Sequence, residues 1–337
     1  MLFKEDAVAR AEVKAVRENA GWYRWTHDLV QVTGPDAEAF LDWMLVNTIA
    51  GLPVGRGKYT TMLDEKGEII DDLVCMHKAE GLWWLSTLYG PQMCAWFAAH
   101  KGEFDVAWED ITAEIDMYAV QGPASAKVMD ALVAAPVDDL KRFALLETAI
   151  GDIAVTVDRG GFTGELGYEI YCARADSAAV AEAIAKAAAQ FGAPRLTILE
   201  VYVRSLPMEK GMGLRQDYKG LTPYEANLGW SVHPEKDFFG KEALMAAKAA
   251  GFKRAFVGVE IERESYEDIA QNEIVRKRGV PVGKCRQMIY GYTVDKNIGF
   301  AIVDAKKVPL GPRVTIDPND SPAVIVEPKW CYWVPSC

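Results

Sequence analysis

Apolar residues recur along this chain with two periods, and the switches between them mark its elements. Ile153, Val155 and Val157 fall on every second position, as in a strand with one buried face, and Tyr168, Ile170 and Cys172 alternate in the same way against Glu169 and Tyr171. Gly160, Gly161, Gly164 and Gly167 lie between or at the edge of these runs. The unit reads as strand, tight turn, strand, with backbone freedom that lets a ligand approach the main chain. Leu63 to Met76 turns at Glu65-Lys66-Gly67 and continues as a strand, and Trp83 to Leu88 is another apolar strand. Helical spacing governs Pro35 to Ile49, where Pro35 suits the first turn and Phe40, Leu41, Met44, Leu45 and Thr48 form one stripe. Pro91 opens a helix to about His100, and Ser125 to Val133 forms a short one. Asp176 or Ser177 caps an alanine-rich helix that reaches Phe191 and stops at Gly192 and Pro194. This alternation predicts α/β (α+β) layers in the first two-thirds.

After Gly251 the texture changes to short strand-like pieces: Phe256 to Ile261, Val280 to Gly283, Ile298 to Val303, Val314 to Ile316 and Ala323 to Val326. These predict a small antiparallel β domain. The boundary is expected after the helix Lys241 to Ala250, giving domains 1–250 and 251–337.

Half of the 337 residues are hydrophobic and a quarter charged, as in a chain that buries a sizeable core. A formal net charge of −11 argues against a nucleic-acid partner, while leaving room for a local basic pocket. No run approaches the roughly eighteen apolar residues of a membrane span, and the first ten residues lack the apolar core of a signal peptide. A cytoplasmic protein without a membrane partner is expected. Six cysteines without a Cys-x-x-Cys pair and four scattered histidines lead us to expect reduced thiols and no metal. A nucleotide phosphate loop is also absent from any strand-to-helix setting.

Residues 159–171, Arg-Gly-Gly-Phe-Thr-Gly-Glu-Leu-Gly-Tyr-Glu-Ile-Tyr, place the glycine-rich turn directly before a strand carrying a carboxylate. This stretch resembles the Arg-Thr-Gly-Tyr-Thr-Gly-Glu-Asp-Gly-Phe-Glu segment of the aminomethyltransferase (glycine cleavage T-protein) family of tetrahydrofolate-dependent one-carbon transferases. Further segments similar to the family follow its order: Val30 to Leu41, Gly67 to Val74, Ala119 to Pro123, Thr222 to Trp230 and Phe239 to Leu244. The resemblance implies a three-lobed fold, with two α/β lobes around a central folate channel in residues 1–250 and a β-barrel in residues 251–337.

It also implies site residues. On the strand alone Glu169 fits a solvated face. The resemblance makes it the carboxylate that accepts a pterin N–H and exocyclic amine in two parallel bonds. Asp71 and Asp72 are adjacent on a strand, so one should enter a channel and the other meet solvent. Asp72 matches the family's catalytic aspartate, placed to polarise the folate N5 region or take its proton; a solvated pair beside a turn is the alternative. Tyr59 matches a channel-lining tyrosine, although core packing accounts for it equally well. Arg204 lies near a folate-contacting arginine, and Tyr332, in a terminal cluster with Trp330 and Trp333, near a ligand-contacting tyrosine, although core packing accounts for this cluster better.

The chain departs from the family pattern at several positions. Phe162 takes the place of a ligand-contacting tyrosine, Leu166 of an aspartate, and Pro207-Met208-Glu209 of Arg-Leu-Glu. Val282 to Met288 replaces a Thr-Ser-Gly turn, and the family's amino-terminal segment has no counterpart. Ile289 to Asp304 and Val326-Glu327-Pro328 are similar to tetrahydrofolate-dependent vanillate and syringate O-demethylases. These features together imply an enzyme moving methyl from a small methylated donor, methoxy-aromatic among them, to N5 of tetrahydrofolate. A divergent aminomethyltransferase served by a lipoyl carrier protein and a non-catalytic folate-binding regulator are the alternatives.

Overall fold

A computed structural model describes residues 5–263 and 269–331. The chain begins with α1 (Ala7–Glu18), β1 (Gly21–Arg24), β2 (Asp28–Thr33), α2 (Ala37–Met44), β3 (Arg56–Leu63), β4 (Ile69–Ala79), β5 (Leu82–Thr87) and α3 (Gly90–His100). There follow β6 (Ala107–Asp110), β7 (Ile115–Gln121), α4 (Ser125–Asp130), β8 (Leu145–Ile150), β9 (Ile153–Asp158), β10 (Gly167–Ala173) and α5 (Ser177–Gln190). After a π-helical turn at Val201–Ser205 come the short α6 (Leu206–Glu209), α7 (Arg215–Tyr218) and the longer α8 (Lys241–Ala250). The last unit holds β11 (Arg254–Ile261), β12 (Ile274–Lys277), β13 (Val280–Gly291), β14 (Lys296–Asp304), β15 (Arg313–Ile316) and β16 (Ser321–Val326).

Two five-stranded sheets, ordered β3-β4-β5-β2-β6 and β1-β7-β10-β9-β8, are followed by a closed six-stranded barrel. The strands of all three are paired antiparallel. Each open sheet turns one face to helices. Phe40, Leu41, Met93 and Phe97 from α2 and α3 pack on Val32, Leu73, Cys75 and Leu85 of the first sheet. Val128 and Met129 of α4 and Val180 and Ile184 of α5 pack on Val120, Val157 and Ile170 of the second. Fully burying each such side chain contributes about 1.5–3 kcal/mol, which fixes the strand registers. The opposite faces meet in a central cluster that joins Leu29 and Met76 to Ala119 and Tyr171 and reaches Phe256 and Phe300 of the barrel. The alternation read from the sequence therefore sorts residues between a helix-covered face and the molecular centre, and Glu169 and Tyr171 are buried rather than solvated.

Three local expectations are corrected. The first long helix is only Ala37–Met44, because Leu45 is already extended and bridged to Met62, and the Asp42 carboxylate accepts from the Ile49 and Ala50 amides. No side-chain cap holds α5; the Ser177 hydroxyl pairs with that of Tyr118 at 2.8 Å. In the barrel, β12 was not expected, and β13 runs well past Gly283 through an irregularity between Cys285 and Met288. Val282 to Met288, the segment that stands in place of the family's Thr-Ser-Gly turn, lies within this strand.

Candidate functional site

A cavity of about 930 Å³ opens between the central faces of the two sheets and the barrel. On the second sheet, Tyr23, Ala119, Glu169, Asp158 and Leu145 lie in register across five strands, and so point to one face. The small Ala119 leaves space beside Glu169. Tyr171, two residues further along β10 on the same face, donates its hydroxyl to Glu169 Oε2 at 3.0 Å. Burial pushes the Glu169 carboxyl up to about 7, against the opposing pull of that hydrogen bond. Asp158 also lines the cavity and is held well above the usual carboxylate range, first by burial and then by Glu169.

The turn that precedes β10 is shaped by the protein's own side chains. Gln121, at the end of β7, accepts from the Thr163 hydroxyl at 2.7 Å and donates to the Gly160 carbonyl at 3.1 Å. A Cβ at Gly161, where φ is +143°, or at Gly167 would collide with that Gln121 amide. The sequence motif around Gln121 and the glycine-rich motif are therefore two halves of one contact. Space at these glycines is taken by Gln121, and at Gly164 by the stem of Lys210, while Gly161 also lines the cavity. Arg17 of α1 secures the turn from outside, donating to the Thr163 carbonyl, Glu165 and the buried Glu209.

The facing wall comes from the β3–β4 hairpin. Thr61 and Asp72 are cross-strand partners, which puts Tyr59 and Asp72 on one face, and the Tyr59 hydroxyl donates to Asp72 Oδ2 at 3.1 Å. Burial, reinforced by the neighbouring Asp71, raises the Asp72 carboxyl to about 7. Asp71 does not meet solvent as its position suggested: it is buried, accepts from the Thr87 hydroxyl at 2.6 Å and stands near 6 through desolvation. The ladder to β5 begins only at Val74, so this end of β4 is paired with β3 alone, and the cavity borders both aspartates.

Sequence reasoning missed several wall residues. His27 packs edge-on against Trp25, contacts the Ser86 hydroxyl through Nδ1 at 2.8 Å, and is lowered by burial to about 4, hence neutral, with Nε2 unpartnered among the described residues. Arg215 lies over the Tyr89 ring at 3.9 Å and draws the carboxyls of Asp71 and Asp72 downward. Trp230 is exposed and stacks on Tyr59 at 5.6 Å. Asp158 alone carried a signal, since it shares the period-two phase of Thr156 opposite Val155 and Val157. Phe162, expected from sequence, lines the cavity 5.7 Å from Trp25.

The geometry has a counterpart among known proteins. Residues 3–236 match the family model of the GCVT N-terminal domain and residues 254–330 that of the glycine cleavage T-protein C-terminal barrel domain. The chain belongs to the glycine cleavage T-protein family. It is 33% identical over 325 residues to an aminomethyltransferase of Bacillus subtilis, covering 91% of this chain and 86% of that one. An aminomethyltransferase of Clostridium botulinum is 32% identical over 319 residues, covering 90% and 84%. The crystal structure of glycine cleavage system aminomethyltransferase T from Bartonella henselae superposes with a TM-score of 0.83 at 25% identity, covering 95% of this chain and 88% of that one.

Within this T-protein fold, the expected Asp72, Tyr59, Glu169 and Phe162 line one cavity. Arg204 does not: it sits on the π-helical turn, where its guanidinium is paired with Asp217 at 2.8 Å. Tyr332 and Trp333 lie outside the described residues. Trp330 packs against Phe300 and the central cluster, with its amide donating to the Glu209 carbonyl at 2.8 Å. Among the described residues no helix is long and apolar enough to cross a membrane. Buried carboxyls on two walls, an unpartnered imidazole nitrogen and aromatic rings between them suit a flat ligand with a polar edge.

Proposed function

We propose that this protein transfers a one-carbon unit to tetrahydrofolate, held in the cavity between Glu169 and Asp72. The observation that carries this reading is that both carboxyls, on separate sheets, line one chamber. Glu169, Tyr59 and Phe162 would hold the pterin, with Glu169 accepting its paired N–H groups. When bound, tetrahydrofolate supplies a nucleophilic N5 for the incoming carbon.

The chain's own residues supply proton handling and orientation. Asp72, near 7, is poised to take a proton released at N5 at neutral pH. Tyr59 fixes the direction of that carboxyl, and Arg215 limits how far its affinity for protons climbs. Trp25, Phe162 and the neutral His27 exclude water from one side of the chamber.

As the donor we favour a small methylated molecule that fits the same chamber, aromatic methyl ethers included. Support comes from the apolar wall of Trp25, Phe162, Phe143 and Leu310, and from the departures Phe162 and Pro207. Aminomethyl transfer from a lipoyl carrier protein is the second reading, favoured by the identity to aminomethyltransferases over nine-tenths of the chain. A cytoplasmic setting follows for either substrate. Incubating the protein with tetrahydrofolate and each donor class, then weighing the folate product, tests the proposal. 5-Methyltetrahydrofolate from a small donor supports it, whereas 5,10-methylenetetrahydrofolate from aminomethylated carrier protein alone replaces the donor. No folate product under any condition, with tetrahydrofolate bound, leaves a binding protein instead of an enzyme.

A further inference from the structure

Glu169 does not stand alone on its face of the sheet. Its neighbour across the β9–β10 ladder is Asp158, buried to 2% exposure, lining the cavity, with Oδ1 lacking any hydrogen-bond partner among the described residues. Directly opposed residues on one face have Cβ atoms about 4.5–5.5 Å apart, so the two carboxyls share a site. The next turn residue makes room for the second of them. A Cβ at Gly160 would run into Asp158 Oδ2, and Gly160 occupies the position of threonine in the motif quoted above.

Two carboxyls confined together in a dry site do not both ionise cheaply; the pair retains one proton. The groups that face it are Tyr171 on β10 and Tyr23 on β1, which are neutral, and the guanidiniums of Arg142, Arg159 and Arg56 at longer range, which oppose the retention. A lone carboxylate offers only acceptors. A carboxylate beside a carboxylic acid offers acceptors and one donor. A pterin edge has the matching order: an N–H and an amine side by side, flanked on each side by an acceptor, a carbonyl oxygen or a bare ring nitrogen.

We propose that Asp158 is a specificity-determining residue, whose protonated carboxyl donates to the acceptor flanking the two N–H groups held by Glu169. The inference rests on the pterin reading of Glu169 and adds a donor to what was an all-acceptor site. It makes the chain select ligands with an acceptor–donor–donor edge over those offering donors alone, such as a guanidinium or amidinium.

Tetrahydrofolate affinity, measured on the full chain from pH 5.5 to 8.5 for the wild type, Asp158→Asn, Asp158→Ala and Glu169→Gln, tests it. Asn keeps a donor and cannot ionise. Its affinity should therefore stay close to wild type at pH 5.5 and exceed wild type increasingly as pH rises, a comparison in which the contributions of Asp72 and of Glu169's own ionisation near 7 are common to both. Asp158→Ala should bind about fivefold to tenfold more weakly at pH 5.5, the value of one neutral hydrogen bond. Wild-type affinity in Asp158→Ala, or the same pH slope in wild type and Asp158→Asn, overturns the inference. Glu169→Gln separates the two layers: wild-type affinity there removes the pterin reading itself. Weakened binding in Glu169→Gln with an unaltered Asp158→Ala removes only the role of Asp158.

Discussion

The Tyr59 hydroxyl donates to Asp72 Oδ2 at 3.1 Å across the β3–β4 ladder, so the proton affinity of this carboxyl is set by opposed influences. Burial and Asp71 raise it; Tyr59 and Arg215 lower it. Tyr59→Phe removes one lowering influence. If Asp72 acts as a base, the rising limb of kcat against pH should move up by roughly 0.4–1 unit, the equivalent of one hydrogen bond. A pH–rate profile of the variant that overlays the wild type would take Asp72 out of the proton step.

Stability should fall as the solution becomes alkaline. Asp71 stands near 6 and Asp72 and Glu169 near 7, all above their unfolded values, so the fold binds protons that the unfolded chain has released. Their stabilisation is complete below about pH 4 and lost as pH climbs through 6 and 7, at about 1.4 kcal/mol per pH unit for each group in its interval. Thermal unfolding midpoints between pH 4.5 and 8 should show this decline, flattened in Asp72→Asn. A midpoint that rises across the same range would contradict the assignment of these three groups.

Gly161 offers a test of the turn that positions Glu169. With φ at +143° and Gln121 against its missing Cβ, Gly161→Ala should cost more than the roughly 1 kcal/mol of a change at a compatible site. Gln121→Ala alone should cost about 1–3 kcal/mol, by leaving the Thr163 hydroxyl and the Gly160 carbonyl without their partner. Because the two side chains compete for one space, the double variant should be more stable than the sum predicts. Strict additivity in urea unfolding would show that the contact does not set the turn.

Arg204 and Asp217 separate ligand contact from support. Arg204→Ala strips the guanidinium from a buried carboxylate and should destabilise the chain by about 3–5 kcal/mol. Tetrahydrofolate affinity, measured below the lowered melting transition, should remain within about twofold of wild type. A tenfold loss of affinity with little change in stability would return Arg204 to the ligand.

Much of this architecture is legible in local sequence, because local rules set it. β4 follows from the turn at Glu65-Lys66-Gly67 and the run to Met76, and β10 from Tyr168, Ile170 and Cys172, whereas β3, the hairpin partner of β4, is not read. What escapes depends on neighbours that are distant in the chain. Asp71 is read as solvated because alternation assumes one wet face, whereas Thr87 and the cavity wall enclose it. β12 is four residues ending in Arg276 and Lys277, too short and polar to declare itself outside a barrel. Leu45 carries a helical period yet is captured by Met62. Among the cavity-lining residues, Glu169 and Asp72 are singled out by motifs; His27 and Arg215 lie in no motif, and only the packed chamber brings them to its wall.

The chamber draws its wall from three separately wrapped cores: Asp72 stands on the first sheet, Glu169 on the second, and Val257 and Leu310 belong to the barrel unit. A guest lodged there works as a keystone, since each of the three units would have to surrender its hold on it before drifting from the others. Heating the filled protein should melt all three in one sharp step, and emptying it should let the calorimetric trace broaden or divide.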